Sequence, residues 1–219
     1  MTSHVTHLWR LLKWGRILAR YGALMGIERD VNTPAPVRRL VRLARLGARV
    51  PKRPRYSEAF QAIGPAAIKL GQTLATRPDL VGEEATRDLL TLQDALPPVP
   101  FAAIRKVVES ALGRPIEALY SRFDEHPVGA ASIAQVHRAW TTEGREVAVK
   151  VLRPGIAEQF AQDIGTYEWA AAHLEQLGGE ARRLRPRLVI ANLKRWTARE
   201  LDLRREAASS SELAEAMAA

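Results

Sequence analysis

The sequence predicts an α+β chain, mostly helical, with one small antiparallel sheet. Three observations lead there. Apolar residues recur at helical spacing through most of the first 120 positions. Two short β-rich runs, 132–140 and 146–152, follow, joined by Thr141-Thr142-Glu143-Gly144, which reads as a hairpin turn. Helical spacing then returns from Ile156 to about Leu177 and from Pro186 toward the C-terminus.

Taken in order, residues 5–25 read as an amphipathic helix. At ~100° per residue Leu8, Leu11, Leu12, Trp14, Leu18, Tyr21 and Met25 share one arc. Lys13, Arg16 and Arg20 fall opposite, with Arg10 at the border. That is the build of a helix lying on a membrane surface. It is equally the build of a helix docked on the protein's own core. Asn32 to Pro36 breaks the pattern. Val37 to Arg55 then holds eight Lys/Arg and no acid, and reads as a polybasic segment or basic linker. Ser57 is placed to cap a helix over 57–77. In that helix Ala66, Ala67, Gly71 and Ala75 are small enough for another backbone to approach. Helices follow over Glu83–Ala95, ended by Pro97-Pro98, and over Phe101–Leu112, closed by Gly113. Arg114 to Phe123 reads as a short fourth helix. In the second β-rich run Val147, Val149 and Val151 alternate with Ala148 and Lys150, so Lys150 shares a face with Ala148.

Charge divides the chain. The whole carries 33 Lys/Arg, 24 Asp/Glu and a net +9. Residues 1–57 alone stand at +11, and 58–219 at −2. The imbalance points to a polyanionic surface, membrane or nucleic acid. The aromatic residues sit on the apolar arc and not among the bases, which disfavours base stacking and nucleic acid. There is no cysteine, hence no disulfide framework or Cys-ligated metal site. No run approaches the ~20 apolar residues of a membrane-spanning helix, and no secretory pattern opens the chain. The expected location is cytoplasmic, peripheral to the inner membrane. His4, His7, His126, His137 and His173 show no metal-ligand spacing beyond His4/His7, so no metal site is expected. Neither G-x-x-x-x-G-K-[ST] nor G-x-G-x-x-G occurs.

Four motifs carry the functional reading. The first is Ala66-Ala67-Ile68-Lys69-Leu70-Gly71-Gln72 with Thr76-Arg77-Pro78-Asp79-Leu80, Gln93-Asp94 and Pro97-Pro98-Val99-Pro100. The second is Gly129-Ala130-Ala131-Ser132-Ile133-Ala134-Gln135-Val136-His137. The third is Val147-Ala148-Val149-Lys150-Val151. The fourth is Glu200-Leu201-Asp202 with Arg204-Arg205-Glu206-Ala207. Together, over about residues 56 to 211, they resemble the UbiB/AarF family of atypical protein-kinase-like proteins tied to isoprenoid quinone biosynthesis.

The resemblance implies a fold and roles. The fold is a mostly helical N-terminal extension packed on a protein-kinase-like N-lobe. The implied segments are 1–55 (basic), 56–123 (helical, with K-x-G-Q) and 124–219 (N-lobe). Ala130, Ala131 and Ser132 would form an Ala-rich nucleotide loop. Lys150 would bind phosphate and Glu206 would pair with it. Lys69, Gly71 and Gln72 (K-x-G-Q) and Glu200 and Asp202 (E-x-D) would regulate access to the site, with Lys69 and Gln72 reaching into the cleft. ATP and Mg²⁺ would be the cofactors. An anionic membrane surface and quinone precursors or quinone-biosynthesis proteins would be the partners, nucleic acid excluded.

A kinase fold keeps its catalytic Asp and metal ligands in a second lobe. No H-x-D…N or D-F-G motif occurs in the 219 residues. The sequence therefore reads as extension plus N-lobe with the C-lobe absent, a truncated chain whose partner could be a separate C-lobe, and little turnover is expected of it alone. Family members have also carried the label 2-polyprenylphenol hydroxylase, but no flavin fingerprint or facial triad is visible. The alternatives are a non-catalytic lipid-binding or scaffold module and a basic nucleic-acid binder.

Overall fold

The chain is known as a computed structural model that describes every residue except 1–3, 30–32, 34, 93–95 and 219. The Gln93-Asp94 part of the first motif thus lies outside the described residues. Along the chain the elements are α1 His4–Arg20, α2 Met25–Arg29, α3 Ala35–Arg45, α4 Tyr56–Ile63, α5 Pro65–Ala75, α6 Pro78–Val81, α7 Glu83–Leu89, α8 Phe101–Leu112 and α9 Ile116–Leu119. Then come β1 Tyr120–Phe123, β2 Gly129–Ala130, β3 Ala134–Thr141 and β4 Glu146–Leu152, followed by α10 Ile156–Gln176, α11 Gly179–Arg183, α12 Pro186–Glu200 and α13 Leu203–Ala218. The α+β class read from the sequence holds.

Compactness groups these elements into two units: 1–92 with 160–196, and 93–159 with 197–219. The units cut across the sequence segments 1–55, 56–123 and 124–219, because a segment's partners in space need not be its neighbours in sequence.

In the first unit α1 turns Trp14 of the arc inward, together with His7 and Ala19. Trp14 is buried against Tyr167, ring centroids 5.0 Å apart. His7 is buried, hydrogen-bonded through Nδ1 to Thr166 and stacked on Trp169. Arg10 pairs with Asp163. Of the arc, Leu8 and Leu12 stay exposed. The expected basic linker is instead helical where α3 forms. Val41 and Ala44 of α3 pack with Ala19 and Leu24 in a small core. An apolar side at helical spacing is enough to fold a segment whose opposite side is arginine.

The helix expected over 57–77 is two helices. Gly64, with φ 128°, and Pro65 separate α4 from α5. A proline removes an N–H and restricts the residue before it, so the first helix stops and the second starts on Pro65. Ser57 does not cap α4 with its side chain. It is buried, its N–H donates to Asp88 Oδ2 at 2.9 Å and its hydroxyl to Oδ1 at 3.3 Å. The carboxylate that satisfies the start of α4 thus comes from α7, a tertiary cap. Gly71 has a steric reason. A Cβ there would lie 2.5 Å from Leu92 Cδ1 and 2.8 Å from Phe60 Cδ1.

In the second unit β3 is central. β1 and β2 pair with successive parts of one side of it and β4 with the other, all antiparallel. The hairpin turn forms as read: Gly144 has φ +84°, and Thr141 N–H donates to Arg145 O at 2.9 Å. Tyr120–Phe123, expected as helix, is strand β1. Only Ile116–Leu119 is helical, since the aromatic ends of Tyr-Ser-Arg-Phe pack on the core of α8. That core joins Ile104, Val108, Ile116 and Val151. Gly113, left-handed at φ +68°, ends α8 as expected. The single helix expected from Pro186 breaks between Glu200 and Leu203.

Candidate functional site

β4 places the phosphate-binding candidate. Its pleat buries Val151 and half-buries Val147 and Val149, with Val149 and Val151 in the core beside α8, while Ala148 and Lys150 are exposed on the other face. The register with β3 sets Lys150 opposite Val136 and Ala148 opposite Arg138. A shallow cavity of ≈ 360 Å³ is lined by Val128, His137, Arg138, Glu146, Val147 and Ala148. Arg138 and Glu146 form an ion pair at 2.6 Å at its side. Each holds the other charged: the carboxylate raises the guanidinium's pKa, and the guanidinium lowers the carboxyl's.

Lys150 Nζ lies 2.6 Å from both carboxylate oxygens of Glu206, the first-turn acid of α13. The expected ion pair is therefore present. The side chains remain 36% and 55% exposed. Exposed pairs contribute roughly 0–1 kcal/mol to stability, so the pair does little to hold the fold. What it does is fix where the ammonium sits.

The loop between β2 and β3 is built without left-handed backbone. No residue from Gly129 to Ala134 has positive φ, which is why alanines can stand where a glycine-rich loop would be expected. A Cβ on Gly129 would meet nothing within 4 Å, so open space lies before the loop. Ala131 N–H donates to Ala134 O at 2.8 Å, closing the turn. Ala130 and Ala131 are half-buried. Ser132 is only 1% exposed, so backbone and hydroxyl alike are buried at this end of the loop.

Glu200 ends α12, and Asp202 stands between helices, where its carbonyl accepts from Arg205 N–H at 3.1 Å and its carboxylate meets Arg205 at 3.5 Å. The two acids therefore do not share one helix. Lys69, Gly71 and Gln72 lie on α5, in the other compact unit from Lys150 and Glu206. Gly71 is buried by packing, and Lys69 and Gln72 are half-buried. In the same motif Arg77 forks onto Asp79, Nε to Oδ1 at 2.8 Å and Nη2 to Oδ2 at 2.7 Å. Among the described residues no group of three or more His, Asp or Glu is placed to hold a metal ion.

Sequence reasoning assigned no role to Gln135, His137 and Arg153. Gln135 and His137 are buried in β3, and Arg153 spans from the end of β4 to the carbonyl of Ala131. Gln135 and His137 stood at alternating positions inside the second motif, but nothing local told that their side chains would be buried.

The model of the ABC1 atypical kinase-like domain matches residues 91–219, the stretch that contains Lys150, Glu206 and the Gly129–Ala134 loop. The chain belongs to the ABC1 (UbiB/AarF) family of atypical kinase-like proteins. It is 42% identical over 155 residues to a probable protein kinase UbiB of Marinobacter nauticus, covering 71% of this chain and 28% of that protein. It is 43% identical, again over 155 residues, to the probable protein kinase UbiB of Pseudomonas fluorescens strains Pf0-1 and SBW25, covering 71% of this chain and 29% of each. The chain thus spans less than a third of the length of these ABC1-family relatives.

Proposed function

We propose that this chain is the nucleotide-binding part of a UbiB-type atypical kinase or ATPase that supports isoprenoid quinone (ubiquinone) biosynthesis at a membrane. The observation that carries the reading is Lys150 held on Glu206, on the strand position opposite Val136, which Gly129 at the start of the loop faces from the other side. ATP fits what is there. Lys150 is a cation exposed on the sheet face, Gly129 leaves open space at the start of the loop, and Ala148 and Val136 are small or apolar neighbours for a base. When bound, ATP would supply the phosphoryl group. Lys150 would hold its phosphates, Glu206 would keep Lys150 in place, and the loop would exclude water from above. Mg²⁺ does not fit this site, since no three His, Asp or Glu side chains converge to hold a metal among the described residues. A second lobe, on this or a separate chain, would bring its ligands and the catalytic Asp. The regulatory roles of Lys69, Gln72, Glu200 and Asp202 rest on the family resemblance alone.

Binding of a fluorescent ATP analogue tests the reading. Micromolar to millimolar affinity is expected, lost in Lys150→Ala and weakened about tenfold in Glu206→Gln, the size expected for losing one charge-assisted bond. Equal affinity in all three proteins would refute it.

A membrane surface is the proposed partner of α1, by a stripe that takes Leu8 and Leu12 from the edge of the arc read in the sequence and adds Val5 and Trp9. Val5, Leu8, Trp9 and Leu12 are exposed at i, i+3, i+4 and i+7, with Trp9 68% accessible. Lys13, Arg16 and Arg20 continue the exposed side. This supports shallow insertion into an anionic leaflet. Among the described residues no helix is long and apolar enough to cross a membrane. Because Trp14 and His7 are core residues, the test uses the point variant Trp9→Glu and not deletion of the helix. Sedimentation with phosphatidylglycerol vesicles should fall several-fold in Trp9→Glu, and unchanged sedimentation counts against the contact.

A further inference from the structure

The second unit contains a polar network that nucleotide binding, as described above, does not use. It begins at Arg153, immediately after β4. The Nε–H of Arg153 donates to Ala131 O at 2.9 Å, and Nη2 donates to Leu96 O at 3.2 Å and Pro97 O at 3.0 Å. Its own backbone N–H donates to Ile133 O at 2.9 Å. Burial lowers the pKa of this guanidinium, yet an arginine stays charged. A desolvated charge costs free energy unless its donors are used, and here three carbonyls use them.

Gln135 reaches the same segment from β3. Its Oε1 accepts from Val99 N–H at 2.9 Å, and its Nε2 lies 3.4 Å from Val99 O and 2.8 Å from His137 Nε2. His137 Nδ1 is 2.8 Å from Asp124 O, which only a donor can satisfy, so Nδ1 carries the proton and Nε2 accepts from Gln135. Gln135 and His137 are buried at 1% and 0% exposure.

Residues 96–100 are Leu-Pro-Pro-Val-Pro. Three prolines remove three N–H groups, so this strap cannot extend the sheet by backbone pairing. Side chains anchor it instead: Arg153 at 96 and 97, Gln135 at 99. The same Arg153 holds the loop. The peptide unit is planar and trans, so fixing the Ala131 carbonyl on Arg153 aims the Ser132 N–H the opposite way. The direction of a loop donor is therefore set by a side chain outside the loop.

We propose that Arg153, supported by Gln135, is the positioning residue of the 129–134 loop, and that it locks the loop to the 96–99 strap so that the two open and close together. The consequence for ligand rests on reading this loop as the nucleotide loop. The mechanical link does not, and it can be tested without ligand.

The experiment is amide hydrogen exchange on the whole chain. Arg153→Lys keeps the charge but loses the fork that bridges Ala131 to Leu96 and Pro97. The Ala131 and Val99 amides should both exchange about ten- to a hundredfold faster, the effect of losing charge-assisted bonds. Amides of the β3–β4 ladder and the unfolding midpoint should stay put, and affinity for a fluorescent ATP analogue should fall. Unchanged exchange at Ala131 and Val99 overturns the proposal. Should Arg153→Lys fail to fold, the unmodified chain decides. Its Ala131 and Val99 amides should share one opening free energy, and separate openings overturn the link. If exchange behaves as expected while even the unmodified chain binds no nucleotide, the link stands and the nucleotide reading falls.

Discussion

Helix α5 and strand β4 each carry a family motif, and they use their residues differently. On α5 the glycine of K-x-G-Q is explained by packing: Phe60 and Leu92 occupy the space a methyl would need. On β4 the lysine is explained by electrostatics. It is exposed, contributes little to stability, and is held by an acid 56 positions away. The contrast teaches that a motif's residues divide by burial. Buried members build the element, and exposed members with a distant partner place a charge.

The largest expected effect lies on α5. Gly71→Ala forces Phe60 and Leu92 apart and should destabilise the first unit by about 1–3 kcal/mol, read as a lower urea midpoint with little change in slope. No loss of stability would show that this glycine is not there for packing, and the contrast with β4 would collapse.

A smaller effect concerns Asp163 on α10, buried with an 8% exposed side chain and paired with Arg10. Burial raises its pKa more than Arg10 and Lys13 lower it. A carboxyl with a raised folded pKa favours folding below the ordinary Asp range, near 3.9. That contribution is lost as pH rises through the raised value. Asp163→Asn should therefore be no less stable than the parent at pH 7, and should lose stability relative to it as pH falls through the raised value toward the ordinary Asp range. Clear destabilisation at pH 7 would mean that the Arg10 pair outweighs burial.

The smallest stability effect is expected on β4. Lys150→Met should shift unfolding by under about 1 kcal/mol while abolishing nucleotide-analogue binding. A larger loss of stability would place Lys150 with Gly71 among residues that build the fold.

Some of this was legible in the sequence because it is local. Alternation along Val147–Val151 exposed Lys150 and Ala148, and Gly144 and Gly113 marked a turn and a helix end at positions needing positive φ. Gly64-Pro65 also announced a break, but the apolar spacing on either side concealed it. The cap at the start of α4 was assigned to the wrong acceptor, the Ser57 hydroxyl, because the Asp88 carboxylate that accepts is 31 positions away. The arc of α1 was found, but not what it faces. Trp14 meets Tyr167, and the exposed stripe begins at Val5.

The sequence by itself determined the family, the α+β class, the hairpin with Lys150 on its open face, and the acid that would pair with it. Each rests on period-2 or period-3.6 spacing, or on motif residues in order. Only the tertiary structure decided that Trp14 of the apolar arc is core, that a basic stretch is helix α3, and that Arg153 and Gln135 tie a proline strap to the alanine loop. Those outcomes depend on hydrogen bonds and contacts between residues tens of positions apart, and no local spacing encodes which distant carbonyl a guanidinium will reach.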